Sequence, residues 1–119
     1  MNYPLLNVPE RPAKPRQKGL TMVMDKGLSL RQVEDFIEVA GVHTDIVKLG
    51  WATSHVTPNL KEKLALYKSA GIPTYFGGTL FEAFIIRNQF SDYQRVLDQY
   101  GMEYAEVSDG SIEIEHDKK

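Results

Sequence analysis

Residues 19–41 read GLTMVMDKGLSLRQVEDFIEVAG, and this stretch decides the fold. Leu20-Thr-Met-Val-Met24 is a short apolar run ending at Asp25 and Lys26, the pattern of a buried strand that meets a polar loop. Ser29-Leu-Arg-Gln32 follows as a capping box, because the serine and glutamine side chains satisfy each other's free backbone donors. Val33, Phe36, Ile37 and Ala40 then share one helical stripe, and Gly41 offers a left-handed stop at its end.

The unit recurs. Asp45-Ile-Val-Lys-Leu-Gly-Trp51 reads as a second strand, and Asn59 with Glu62 is placed to cap a helix carrying Leu60, Leu64 and Tyr67 before Gly71. Pro73-Thr-Tyr-Phe76 is a third strand, closed by Gly77-Gly78. Ser91 and Gln94 fit the cap of a helix with Val96, Leu97 and Tyr100 on its stripe and Gly101 at its end, and Leu80 to Phe90 adds a helical turn or two before it. Tyr104-Ala-Glu-Val-Ser108 reads as a fourth strand, closed by Asp109-Gly110. Gly41, Gly71 and Gly101 recur at intervals of 30 residues, which argues for repeated βα units and a parallel α/β sheet. The pattern fits half of an eight-stranded TIM-type barrel or a small open doubly wound sheet, and by itself does not separate them.

Ahead of this repeat, residues 1–18 hold Pro4, Pro9, Pro12 and Pro15 among basic residues and read as an extended lead-in. Residues 19–119 are then the (β/α)4 domain. The chain of 119 residues carries a net charge of −2, which gives no footprint for nucleic acid. It has no cysteine, so disulfides, thiolate metal sites and cysteine nucleophiles are excluded. The N-terminus has no signal-peptide pattern, and no run approaches the roughly 20 apolar residues of a membrane span. A soluble, cytoplasmic protein with no membrane partner is the expectation.

Polar side chains gather where the strands end: Asp25 and Lys26, Thr53 and Ser54, Thr79 and Glu82, Ser108 and Asp109. In parallel α/β folds this edge is the functional one, although strand ends meet polar loops in any case. Lys48 and Glu106 say more, because each is a charge inside an apolar strand. Alternation aims both into the barrel if helices cover its outside, and Asp25 is expected to share that interior with Thr21 and Val23. Buried charges need partners, so the alternatives are a structural salt bridge and a catalytic or metal-binding cluster. Carboxylates such as Asp25, Glu106 and Asp109 suit a hard cation such as Mg²⁺. Gly77-Gly78-Thr79 ahead of a helix either presents N–H groups to an anion or serves a turn with positive φ. His43, His55 and His116 have no metal-ligand spacing and read as surface residues, while Trp51 reads as packing or a pocket wall.

Four blocks are more specific: residues 14–28 (KPRQKGLTMVMDKGL), 45–51 (DIVKLGW), 77–82 (GGTLFE) and 106–114 (EVSDGSIEI). In this order, on four successive strands, they resemble the phosphosulfolactate synthases, a family that plant heat-stress-associated proteins also resemble. The resemblance implies a TIM-type barrel with a Mg²⁺-dependent site at the C-terminal strand ends. It further implies a carbon–sulfur lyase that adds sulfite to phosphoenolpyruvate, giving (2R)-phospho-3-sulfolactate on a route to coenzyme M or sulfolactate. Under it, Lys48, Glu106 and Asp25 are the catalytic candidates and Glu82 and Asp109 the metal candidates. Lys26, Thr53, Ser54, Gly78 and Thr79 are the candidates for holding substrate. One departure is Gly50-Trp-Ala-Thr-Ser54, where the family commonly reads Gly-Trp-Gly-Thr-Ser. A full barrel needs about 250 residues, so the chain reads either as a piece of a longer barrel or as a half-barrel that closes by forming a homo-oligomer, with a truncated, non-catalytic binding or assembly relative as the alternative function. A third reading is an open α/β module that binds another phosphorylated ligand through Gly77-Gly78.

Overall fold

The computed structural model describes residues 2–115. Three parallel strands, β1 (Met22–Asp25), β2 (Ile46–Leu49) and β3 (Thr74–Phe76), form one sheet in the order β1-β2-β3. Helices α1 (Leu30–Ala40), α2 (Leu60–Ser69), α3 (Gly78–Ile85) and α4 (Phe90–Gln99) connect and follow them. No helix among the described residues is long and apolar enough to cross a membrane.

Register explains the two faces. Asp25, Leu49 and Phe76 lie in one row, with Val23 and Val47 in the row two residues earlier. This face meets the helices: Val47, Leu49 and Phe76 join Val33, Tyr67, Ile72, Phe81 and Tyr93 in a fully buried core. The intervening row, Met24, Lys48 and Tyr75, points to the other face. There Met22 and Met24 remain 47% and 37% exposed.

Helix α1 begins as read from sequence. The Gln32 amide donates to Ser29 Oγ at 3.2 Å, and the Ser29 amide donates to Gln32 Oε1 at 2.9 Å. Gly41 departs from expectation: its φ is −58°, and the chain continues into a 3-10 turn over Gly41–His43 rather than stopping left-handed. Gly71 and Gly101 do adopt positive φ, +71° and +64°. Asn59 precedes α2 with φ 57°, and its side chain makes no capping bond. Helix α4 starts at Phe90, so Ser91 and Gln94 lie inside it and are not its cap. The irregular stretch after Gly77 resolves into a helix of its own, α3.

The expected fourth strand is not formed. Residues 104–108 carry no ladder pairing, and Val107 and Tyr104 are each 50% exposed. A strand there has no apolar surface to cover it, and side-chain bonds from Glu106 and Ser108 hold the segment instead. The fold is therefore α/β with a three-stranded parallel sheet and four helices. His116 lies outside the described residues.

The lead-in packs across the N-terminal end of β1 and β2. Asp45 is its anchor: Arg16 Nη1 reaches Oδ1 at 2.7 Å, and Arg11 Nη2 reaches Oδ2 at 3.0 Å. Lys14 Nζ, Arg16 Nη2 and Arg11 Nη1 also donate to the carbonyls of Gly41, Val42 and His43. Those carbonyls close the α1 end, where cations are favoured.

Candidate active site

Lys48 sits one residue before the C-terminal end of β2, on the face opposite the helices. Its Nζ lies 2.8 Å from Glu106 Oε2 and 2.9 Å from Oε1. The two side chains are 17% and 32% exposed, so the pair is open to solvent and to small molecules. Glu106 arrives from the loop after α4.

Gly77 and Gly78 make room for this pair. A Cβ on Gly77 would stand 2.8 Å from Lys48 Cε, and one on Gly78 would stand 2.3 Å from Ser108 Oγ and 2.9 Å from Glu106 Oε1. Neither glycine needs the left-handed region, since Gly77 has φ −70°. The positive-φ reading of this dipeptide is thus corrected: absence of a side chain, not backbone freedom, is what the position requires.

Glu82, in α3, binds the last segment. It accepts from Ser108 Oγ at 2.6 Å, from the Ser111 amide at 2.7 Å and from Ser111 Oγ at 2.9 Å. Burial would raise its pKa, but these donors outweigh burial and hold it below the usual carboxylate range. Oxygens that face N–H and O–H donors are poorly disposed toward a cation, so Glu82 as found does not fit the metal role. Among the described residues no group of three His, Cys, Asp or Glu side chains is arranged to hold a metal ion. Asp109 is exposed beside this segment.

Asp25 differs most from expectation. It lies in the Leu49–Phe76 row and faces the helices, not the Lys48 side. Alternation does put Asp25 on one face with Val23; the expectation failed in pairing that row with Lys48, whose row-mate on β1 is Met24. Asp25 is 1% exposed and saturated: Oδ1 accepts from the Gly27 and Leu28 amides, both at 2.8 Å, and from Lys63 Nζ at 3.0 Å. Oδ2 accepts from Tyr67 Oη at 2.7 Å. Burial pushes its pKa up, and the Leu28, Tyr67, Gly27 and Lys63 donors more than reverse this. Burial and the neighbouring Asp25 charge drive the Tyr67 phenol upward.

Lys26 and Thr53 line a cleft of about 410 Å³ between the β1–α1 and β2–α2 loops. Its walls include Ser29, Asn59 and Lys63; the Lys63 ammonium is buried against Asp25, which leaves Lys26 as the exposed charge of the lining. Thr53 Oγ1 is turned to the Gly50 carbonyl at 2.8 Å, and Ser54 is buried at 7% exposure, so neither hydroxyl is presented in the way expected. Thr79 lies in the first turn of α3.

The pattern of the (2R)-phospho-3-sulfolactate synthase (ComA) family matches residues 9–119. This chain belongs to the phosphosulfolactate synthase family. The phosphosulfolactate synthase of Methanocaldococcus jannaschii is 45% identical over 100 residues, covering 82% of this chain and 40% of its own length. That of Bacillus subtilis is 36% identical over 119 residues, covering all of this chain and 47% of its own. That of Methanothermobacter thermautotrophicus is 37% identical over 113 residues, covering 93% and 44%. The chain thus spans less than half the length of these relatives. Sequence reading singled out Lys48 and Glu106 as charges within apolar runs, and the structure brings the two side chains together, Lys48 from β2 and Glu106 from a loop. That reading missed Lys63, whose signal was a charge on the apolar stripe between Leu60 and Tyr67. It also missed Ser111, which had no signal.

Proposed function

We propose that this chain carries the N-terminal part of a lyase site that adds sulfite to phosphoenolpyruvate, giving (2R)-phospho-3-sulfolactate. The Lys48–Glu106 pair at 2.8 Å, at the C-terminal edge of the sheet, carries this reading. Sulfite attacks the methylene carbon with its own lone pair and forms the C–S bond. The π pair then moves onto the carbon that bears phosphate and spreads into the carboxylate as an enediolate-like charge. The Lys48 ammonium stabilises that carboxylate, and Glu106 keeps the ammonium oriented. Proton delivery to the same carbon completes the addition, with Lys48 as the donor. Lys26, at the neighbouring cleft, takes an anionic group of the substrate.

Mg²⁺ belongs to this proposal through the family, with Glu82 removed from its ligands and no step assigned to it. Association of copies across the face carrying Met22 and Met24, and a cytoplasmic location, belong to the same reading. The test is an assay of the purified chain with phosphoenolpyruvate and sulfite, with and without Mg²⁺, the product read by mass. Product from the parent chain and none from folded Lys48→Ala is expected. Near-normal turnover in the variant removes Lys48 from the mechanism. No product from the parent chain means either that the rest of the relatives' length is required for the chemistry or that this chain is a non-catalytic relative.

A further inference from the structure

We infer that Lys63 and Tyr67 of α2 are positioning residues, which act through Asp25 to set the loop that presents Lys26. The inference rests on the proposed substrate role of Lys26 and extends it to two residues outside the Lys48–Glu106 pair. Lys63 and Tyr67 stand four apart on α2, so both side chains project from one face toward the end of β1. Between them they hold both Asp25 oxygens, at 3.0 and 2.7 Å. On its far side the same carboxylate accepts the Gly27 and Leu28 amides, which closes the chain tightly around Lys26. Gly27 sits at φ +113°, which glycine adopts without steric cost and which lets the chain turn back onto the Asp25 carboxylate.

This arrangement is costly unless it is used or fully satisfied. Lys63 and Asp25 are each 1% exposed, and a buried ion pair adds little net stability over apolar residues of the same size. What it supplies is a fixed geometry. The clamp joins β1, the β1–α1 loop and α2, elements that border the cleft lined by Lys26, Ser29, Thr53 and Asn59, where Lys26 is the exposed charge. A loop fixed in this way presents Lys26 to an anion without first ordering itself, which saves binding energy.

Tyr67→Phe is the variant of choice, because it removes one hydroxyl and leaves the edge-on ring contact with Phe36 at 6.4 Å. Lys63→Met serves as the second variant. Two readouts apply to the 119-residue chain. In Tyr67→Phe, amide hydrogen exchange at Gly27 and Leu28 is expected to accelerate about tenfold relative to β2 amides, as loss of one hydrogen bond implies. Unchanged exchange at both amides in both variants overturns the inference, whatever the chain binds. The second readout is affinity for phosphoenolpyruvate by calorimetry. It is expected to fall about fivefold in Tyr67→Phe, with no further loss when Lys26→Ala is already present. Additive losses overturn the inference, because they mean that Tyr67 acts independently of Lys26. If the parent chain binds no phosphoenolpyruvate, the functional reading fails, and the exchange result still decides the clamp.

Discussion

Lys48 and Glu106, 58 residues apart in the chain, meet with Nζ 2.8 Å from Oε2. Nothing in the local sequence of either requires the other. They meet because β2 aims Lys48 away from the helices while the segment after α4 returns across the ends of the strands. Two glycines, Gly77 and Gly78, stand at the point of closest approach.

The pair is partly exposed, and such pairs contribute about 0–1 kcal/mol to stability. Glu106→Gln and Lys48→Met are therefore expected to shift the urea midpoint little. Each is expected to reduce product formation by about a hundredfold or more, in the range that general acid–base and electrostatic groups supply. A loss of folding equal to the loss of activity would make this pair structural.

Gly78→Ala tests the close approach. The new methyl would enter space 2.3 Å from Ser108 Oγ and 2.9 Å from Glu106 Oε1. Overpacking of this kind costs about 1–3 kcal/mol. Gly110→Ala is the control, since a Cβ there meets nothing within 4 Å. Equal midpoints for the two variants would show that residues 106–111 do not pack against α3 in solution.

The sequence made the strands, the α1 cap and the Lys48–Glu106 candidates legible because each rests on a local pattern. A charge flanked by Val47 and Leu49 is visible without a structure. The side on which Asp25 falls was not visible. Strand register depends on the neighbouring strand, and an error of one residue moves a side chain to the opposite face. The Asp25–Lys63–Tyr67 cluster was hidden for the same reason, as its members come from separate elements. The fourth strand looked legible from its composition, yet strand formation depends on what covers it. Gly41 was misread because the chain beyond α1 continues as a 3-10 turn, tied by lead-in cations whose partners lie about thirty residues away.

Ala52 occupies a position where the family commonly has glycine, and the backbone explains that preference. Its φ and ψ are 57° and 23°, directly after Trp51 at φ 59°. A left-handed conformation costs an L-residue about 1–2 kcal/mol, while glycine gives back part of that in unfolded-state entropy. Ala52→Gly is expected to stabilise the chain by about 0.5–1 kcal/mol, read as a higher urea midpoint with unchanged slope. A lower midpoint would mean that the Ala52 methyl packs well enough to offset its strain.

Three carboxylates tie the structure to pH. Asp25 and Glu82 are held below the usual range by donors that outweigh burial, and Asp45 by the Thr21 amide and the Arg16 and Arg11 guanidinium groups. Each therefore binds its proton more weakly when folded than when unfolded. As pH falls, the unfolded chain takes up protons first, at about pH 4, and its free energy drops relative to the folded state. Stability from these groups is fully present above that pH and is lost as pH falls through the lowered folded values. The urea midpoint is expected to stay level as pH falls from about 7 to about 5 and to decline below about 4. Glu82→Gln removes one of the three groups, so its acid decline should be shallower, although its plateau is lower because Gln accepts the Ser108 and Ser111 donors less strongly. A decline as steep as that of the parent chain would show that Glu82 takes up no protons on acid unfolding, and that its hydrogen bonds to residues 108–111 do not persist in solution.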